Sequence, residues 1–399
     1  MGMLLGNAGC EMSGIGPWYS KRRFKREQRA LMPETTDQHK QAILELEALI
    51  LGDGDTSERS GLLGGRYKAL YEDTLDAEAR SVFLNKAIFS FERAMMLDAN
   101  DFLPPSNLPR LYRERRWDGD EKRAVTAASI ALLACERSRK RNPADPKVAG
   151  MLLGAAFNAG DILRAEKLLG EMRAQTGPAL DMLPASIPDL RRSLSLLDDV
   201  RTSSALASIL GGLQQLLDPN GTVLALAGRR IDPAGADERR FPPENEAIVA
   251  VRIRNMMVSA ASQAVVCSAA SGADILALEG AVQLGLGRRV VLPLSRQQFR
   301  ATSVADRGEE WGHRFDAILQ QMQNEDILEL NLQGGNNEAY ATANAKIIDE
   351  AVGWASTTGR RALAMVVWNE FSRGETDLTD EFRRVAVDRK LEVIPVTTL

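Results

Sequence analysis

The sequence predicts an α/β fold, a parallel sheet flanked by helices, over its C-terminal part, with an all-α region ahead of it. Three observations carry this expectation. From Val223 onward short apolar runs alternate with helical patterns. Those runs are continuously apolar, as strands covered on both faces are. Between Gln38 and Leu197 the apolar residues recur only at helical spacing.

The helical region reads as a series of short helices. Ala42-Ile43, Leu46 and Leu49-Ile50 mark the first stripe, which Gly52-Asp53-Gly54-Asp55 ends. Thr56 or Ser57 caps the next, carrying Leu62, Leu63, Tyr67, Leu70 and Tyr71. A third stripe is Phe83, Ala87, Phe91, Ala94 and Met95. Asp98–Pro109, with three prolines, reads as a loop. Arg123–Arg139 follows as a helix, broken by Asn142-Pro143-Ala144-Asp145-Pro146. Val148–Ala159, the turn Gly160-Asp161 and Ile162–Arg173 then have the look of a degenerate tetratricopeptide (TPR-like) helix pair, with Ala165-Glu166-Lys167-Leu168-Leu169 on the second helix. A generic helical bundle is the alternative. Either serves to hold partners or protomers together. Ser186–Asp199 is a further helix.

After the turn Asp218-Pro219-Asn220-Gly221 the rhythm changes. Strands are expected at Thr222–Ala227, Ala264–Cys267, Arg289–Leu294, Asp326–Leu330, Arg361–Val367 and Glu392–Val396. Helices are expected at Glu244–Ala260, Ala273–Leu284, His313–Asn324, Ala339–Thr357 and Thr379–Val387. Pro395 suits an edge strand. This alternation is Rossmann-like.

The chain's 399 residues are too many for one core. The expected division is a flexible arm at 1–40, helices at 41–200 and the α/β domain at 215–399. Apolar content of 44% and charged content of 26% are those of an ordinary globular protein. The net charge of −4 and 5% aromatic residues argue against nucleic acid as a partner. Three scattered cysteines and two histidines, His39 and His313, argue against a zinc site and fit a reducing cytoplasm. No cofactor is implied. No apolar run is long enough to span a membrane. The basic run Lys21–Arg26 follows the apolar start instead of preceding it, the reverse of a signal peptide.

In such sheets ligands sit at the C-terminal ends of the strands. The first candidate is Gly228-Arg229-Arg230, where glycine admits a ligand to the backbone and arginine offers a planar fork to an anion. The second and stronger is Ser268 through Asp274, small residues running into a helix N-terminus whose free N–H groups favour an anion. Asp274 either caps that helix or holds a ligand hydroxyl. Glu279, on an otherwise apolar helix, faces either solvent or the site. Pro293 re-aims the chain after the third strand, and Arg296 and Arg300 are within reach of a phosphate unless solvated. The loop Arg373-Gly374-Glu375-Thr376-Asp377 is a candidate for closing over a ligand.

Leu226-Ala227-Gly228-Arg229, Arg240-Phe241-Pro242-Pro243-Glu244-Asn245-Glu246 and Ser271-Gly272-Ala273-Asp274-Ile275-Leu276-Ala277-Leu278-Glu279 occur in that order. Val291-Leu292-Pro293, Phe299, Thr302-Ser303-Val304, Trp311 and Arg314-Phe315 follow. This succession resembles the SLOG superfamily, which groups cytokinin-activating LOG enzymes, the DNA-processing protein A fold and sensor domains of bacterial conflict systems. Residues 56–175 resemble the TRAFs-binding helical region, through Thr56-Ser57-Glu58-Arg59, Leu63–Lys68, Phe91-Glu92-Arg93-Ala94 and Asp101–Pro105. The resemblance implies a nucleotide or nucleotide-derived ligand, held by Gly228-Arg229, Ser271 through Asp274 and Glu279. LOG-type hydrolases carry Pro-Gly-Gly-x-Gly-Thr-x-x-Glu, which here is broken, with the glutamate displaced.

Two functions follow as expectations. One is a cytoplasmic signalling or antiviral-defence sensor that binds a nucleotide-derived ligand, with helices for a protein partner or self-association. Its ligand contacts would be Gly228, Arg229, Arg230, Ser268, Ser271, Gly272, Ala273, Asp274, Pro293, Arg300 and Thr376. The other is a nucleotide hydrolase or N-glycosidase with Glu279 or Asp274 as its acid/base carboxylate.

Overall fold

The computed structural model describes residues 35–74, 76–142, 146–173, 187–333, 337–374 and 376–399. The expected arm up to residue 34, with Cys10 and the basic run, lies outside the described residues, as do Pro143-Ala144-Asp145 and Glu375. Two compact units divide the chain, Met1–Asp98 and Ala99–Leu399.

The first unit contributes α1 (Thr36–Asp53), α2 (Ser57–Asp73) and α3 (Ala77–Leu97). Each starts on a side-chain cap: Thr35 in a capping box with Gln38, Thr56 on the Arg59 N–H, and Asp76 on the Ala79 N–H. Gly64 of α2 lies against the Phe91 ring of α3, where a Cβ would come within 2.9 Å. The helices therefore approach closely, burying Leu70, Ala87 and Ala94.

The second unit begins with helices: α4 (Leu103–Arg115), α5 (Asp120–Arg141), α6 (Pro146–Asn158), α7 (Ile162–Arg173), α8 (Ile187–Ser195) and α9 (Val200–Leu217). The expected loop at Asp98–Pro109 is corrected by α4. Pro104 and Pro105 fall in the first turn, where no intrahelical N–H bond is lost, and the Leu103 N–H is taken by Asp101 Oδ1 at 3.0 Å. Pro109 forgoes one helical bond while Leu108 and Leu111 are fully buried beside it. Residues 200–217, where the sequence places a domain boundary, are also helical. Asp199 caps α9 through the Thr202 N–H, and Leu206, Leu210 and Leu213 bury its inner face.

The sheet follows: β1 (Thr222–Gly228), α10 (Glu246–Ser259), β2 (Ser262–Cys267), α11 (Ala273–Leu284), β3 (Gly287–Leu292), α12 (Arg296–Ser303), α13 (Glu309–Gln320), β4 (Ile327–Glu329), α14 (Asn337–Thr357), β5 (Arg361–Trp368), α15 (Leu378–Asp388) and β6 (Val393–Thr397). All neighbours pair in parallel, in the order β4-β3-β2-β1-β5-β6. Pro395 sits on the edge strand, as expected.

Side chains of β1 alternate between two cores. Leu224 and Leu226 join Val249 and Ile253 of α10, Ile275 and Leu278 of α11, and Phe299 and Phe315 of α12 and α13. Val223, Ala225 and Ala227 join Ile347 and Ala351 of α14 and Phe382 of α15. The first core runs on into Leu206, Leu210 and Leu213 of α9. The chain thus builds one half-sheet outward from β1 to β4, then crosses the other face to β5. Strand order reverses between β1 and β5, and the crevice at their C-terminal ends is where such a sheet leaves room for a ligand.

Candidate functional site

A pocket of about 740 Å³ opens at that reversal point. Its wall includes Ala227, Gly228, Arg229 and Arg230 from the end of β1, Ser268 and Ala270 from the end of β2, and Asp274 from α11. The long loop after β1 adds Asp232, Asp237, Glu238 and Arg240. Ser303 and Arg307 come from the segment after β3, Tyr340, Asn344 and Ile347 from α14, and Arg373 and Thr379 from the segment after β5.

Two glycines let these loops meet. A Cβ on Gly228 would stand 2.4 Å from the Cβ of Ala273 and 2.8 Å from the Val367 carbonyl oxygen. Gly272 has φ +100°, and a Cβ there would stand 2.5 Å from the backbone nitrogen of Ile231. That contact supports a two-residue bridge, Arg230 to Gly272, which ties the end of β1 to the start of α11.

The helix N-terminus is largely occupied by the protein itself. The Ser271 N–H donates to the Ser303 carbonyl at 3.1 Å, and the Ala273 N–H donates to the Arg229 carbonyl at 3.2 Å. The helix cap is Gly272, which corrects the expected capping role of Asp274. Asp274 instead lies inside the first turn and its Oδ2 accepts the loop N–H of Ala270 at 3.1 Å. Burial pushes its carboxyl up to about 7, against the N–H bonds of Ala270 and Ser268 and the charge of Arg230.

Arg229 is buried and fully engaged. Its Nη1 and Nη2 donate to the two oxygens of Asp377 at 2.7 and 2.8 Å, its Nε to Asn369 at 3.0 Å, and its Nη2 also to the Phe371 carbonyl at 2.7 Å. It ties the loop after β5 to the end of β1. Burial pushes the Asp377 carboxyl up, but the Arg229 hydrogen bonds and the Arg373 N–H outweigh burial and hold it well below the usual carboxylate range. The far side of the same loop is held by Arg192 of α8, whose Nη2 donates to Glu370 Oε2 at 2.7 Å.

Arg230 is half-buried. Its Nε donates to Ser271 Oγ at 3.2 Å and its Nη2 pairs with Asp306. Tyr340 is fixed by a 2.7 Å hydrogen bond between its hydroxyl and Ser303 Oγ, and its ring is backed by Phe299.

Of the residues singled out by sequence, Gly228, Arg229, Arg230, Ser268 and Asp274 converge on the pocket wall, and Ser271, Gly272 and Ala273 form the turn behind it. Glu279, Pro293, Arg300 and Thr376 do not line it. Arg314 holds Glu279 through two hydrogen bonds of 2.7 Å. Arg300 is engaged by Asp316 at 2.9 Å and by Glu309. Pro293 is buried, with its carbonyl accepting the Leu332 N–H at 2.9 Å. Thr376 is exposed beside the cap of α15. Sequence reasoning missed Asp232, Glu238, Arg307, Tyr340 and Asn344. Tyr340, Asn344 and Ile347 share one face of α14 at helical spacing, a signal that also reads as an ordinary half-buried stripe.

Among the described residues no helix is long and apolar enough to cross a membrane. No curated protein matches the chain. A family model, Tetratricopeptide Repeats-Sensor (TPR-S), matches residues 20–112, so the N-terminal helices are similar to sensor-type tetratricopeptide repeats.

Proposed function

We propose that the chain is a sensor of bacterial signalling or defence type, whose α/β region binds a nucleotide-derived small molecule and whose helical repeats engage a protein partner or a second copy. The observation that carries the ligand reading is the pocket itself. It lies at the strand-order reversal of a parallel sheet, and its wall is lined by Arg230, Arg240, Arg307 and Arg373 together with Asp232, Asp237, Glu238 and Asp274, with Arg229 tied to Asp377. Such a wall favours an anionic ligand with polar groups to be read. The resemblance of the Gly228 and Ser271–Asp274 segments to SLOG domains supports the nucleotide class. Similarity of the helical repeats to a sensor module supports a binding role. Isothermal titration of the whole chain against cyclic, linear and ADP-ribose-type nucleotides tests it. Saturable heat with at least one class is expected, and silence across the panel ends the reading.

One observation favours a second reading. Asp274 lines the pocket and titrates near neutrality, as a general acid/base must. The alternative is a nucleotide hydrolase or N-glycosidase using Asp274. Mass spectrometry of the same nucleotides after prolonged incubation tests this. Absence of product, or product formation undiminished by Asp274→Asn, rejects it.

A further inference from the structure

The anion that this pocket takes needs a place to sit, and the start of α11 is poorly suited to it. The N–H groups of Ser271 and Ala273 are already bonded to Ser303 and Arg229, and that of Ala270 to Asp274. The arginines differ sharply in their engagement. Arg229 has Asp377 at 2.7 Å, Arg373 has the same carboxylate at 3.4 Å, and Arg240 pairs with Glu238. Arg307 has Asp306 only at 3.8 Å, beyond hydrogen-bond reach, and Asp306 is already engaged by Arg230. Both guanidiniums therefore draw on the Asp306 carboxylate, and for Arg307 neither it nor Asp232 is within hydrogen-bond reach of Nε. Burial and then the like charge of Arg230 lower the Arg307 pKa, against the opposing charges of Asp306 and Asp232. The Nε of Arg307 is buried without a hydrogen-bond partner. Tyr340, anchored by Ser303, lines the same pocket.

We infer that the Arg230–Arg307 pair is the anion subsite and that it receives the phosphate of a phosphorylated small molecule. The inference rests on reading the pocket as a nucleotide site and adds which group of the ligand is recognised and by which side chains. A phosphate offers more oxygens than the two of a carboxylate, set at tetrahedral angles, and so can face two planar forks at once with charge to match both. Arg307 then sets specificity for phosphorylated over unphosphorylated ligands, while Arg229 holds the loop and does not touch the phosphate.

The test is titration calorimetry of the full chain with the four ribonucleoside 5′-monophosphates, their nucleosides and inorganic pyrophosphate, repeated on Arg307→Gln and Arg307→Lys. The expected result is at least tenfold tighter binding of a monophosphate than of its nucleoside. Arg307→Gln abolishes that difference by weakening monophosphate binding far more than nucleoside binding, and Arg307→Lys recovers part of it. Monophosphate binding to Arg307→Gln equal to that of the unmodified chain overturns the assignment. Nucleoside and monophosphate binding equally well to the unmodified chain also overturns it, while leaving the nucleotide reading intact. Absence of binding by every probe overturns the assignment as well, while the nucleotide reading falls only if the cyclic and ADP-ribose-type nucleotides are silent too.

Discussion

Arg229 and Asp377 face each other through two parallel hydrogen bonds of 2.7 and 2.8 Å, with both side chains out of solvent. They are 148 positions apart and join the end of β1 to the cap of α15 across the reversal point of the sheet. A buried pair of this kind is costly to break from one side, because the remaining charge has no water to turn to. Arg229→Ala or Asp377→Asn is expected to destabilise the chain by about 3–5 kcal/mol. Folded and unfolded states hold the Asp377 proton differently, since its folded pKa is depressed. Its contribution is fully present above the unfolded value of about 4 and is lost as pH falls below it. Chemical denaturation of the parent chain and Asp377→Asn between pH 3 and 7 checks this. The gap between them should be constant above about pH 5 and begin to narrow below pH 4, and a gap independent of pH down to 3 contradicts it.

Gly272 combines a positive φ with a backbone neighbour in the space a Cβ would fill. Neither strain can be relieved by rotating a side chain. Gly272→Ala is expected to cost on the order of 1–3 kcal/mol and to separate the Arg230 loop from α11. Urea denaturation measures the cost. Nucleotide titration should show weakened binding in the same variant, because Arg230 is positioned through this bridge. A variant as stable as its parent removes the argument for the bridge.

The fold was legible because the strands are continuous apolar runs, and runs such as Val223–Ala227 and Val290–Leu292 have few other readings. The helix at Leu103–Arg115 was hidden by its prolines, whose meaning depends on whether they occupy a first turn. At the site, Gly228 and Asp274 were visible because small residues at a strand end narrow the alternatives. Arg307, Tyr340 and Asn344 were not, since they belong to segments that reach the pocket only once β4 and β5 lie on opposite sides of β1. In sequence Glu279 and Asp274 were both open as the acid/base carboxylate. Their separation comes from α11 itself: its second residue points into the loop, and a residue five positions later falls on the face toward Arg314.

That face makes Glu279 a structural residue. It bridges to Arg314, which also holds Glu246 at 2.7 Å and lies over the Trp311 ring. Glu279 is about one-third exposed, so the loss on Glu279→Gln should stay near that of surface pairs, about 0.2–1 kcal/mol. Nucleotide affinity should change less than twofold. Thermal unfolding and calorimetry of this variant check both parts, and a tenfold loss of affinity would bring Glu279 back to the site.

Asp274 behaves in the opposite sense to Asp377. Its folded pKa is raised to about 7 by burial, so the folded state binds the proton more tightly than the unfolded chain does. Stability from this group is fully present below about pH 4 and is lost as pH rises toward 7. Asp274→Asn keeps an acceptor for the Ala270 N–H and removes the ionisable proton. The variant is therefore expected to match the parent at pH 4 and to exceed it at pH 8, by on the order of 2–4 kcal/mol. Denaturation midpoints at the two pH values decide it. A parent that remains the more stable at pH 8 would mean that the ionised carboxylate is paired inside the pocket and is not merely buried there.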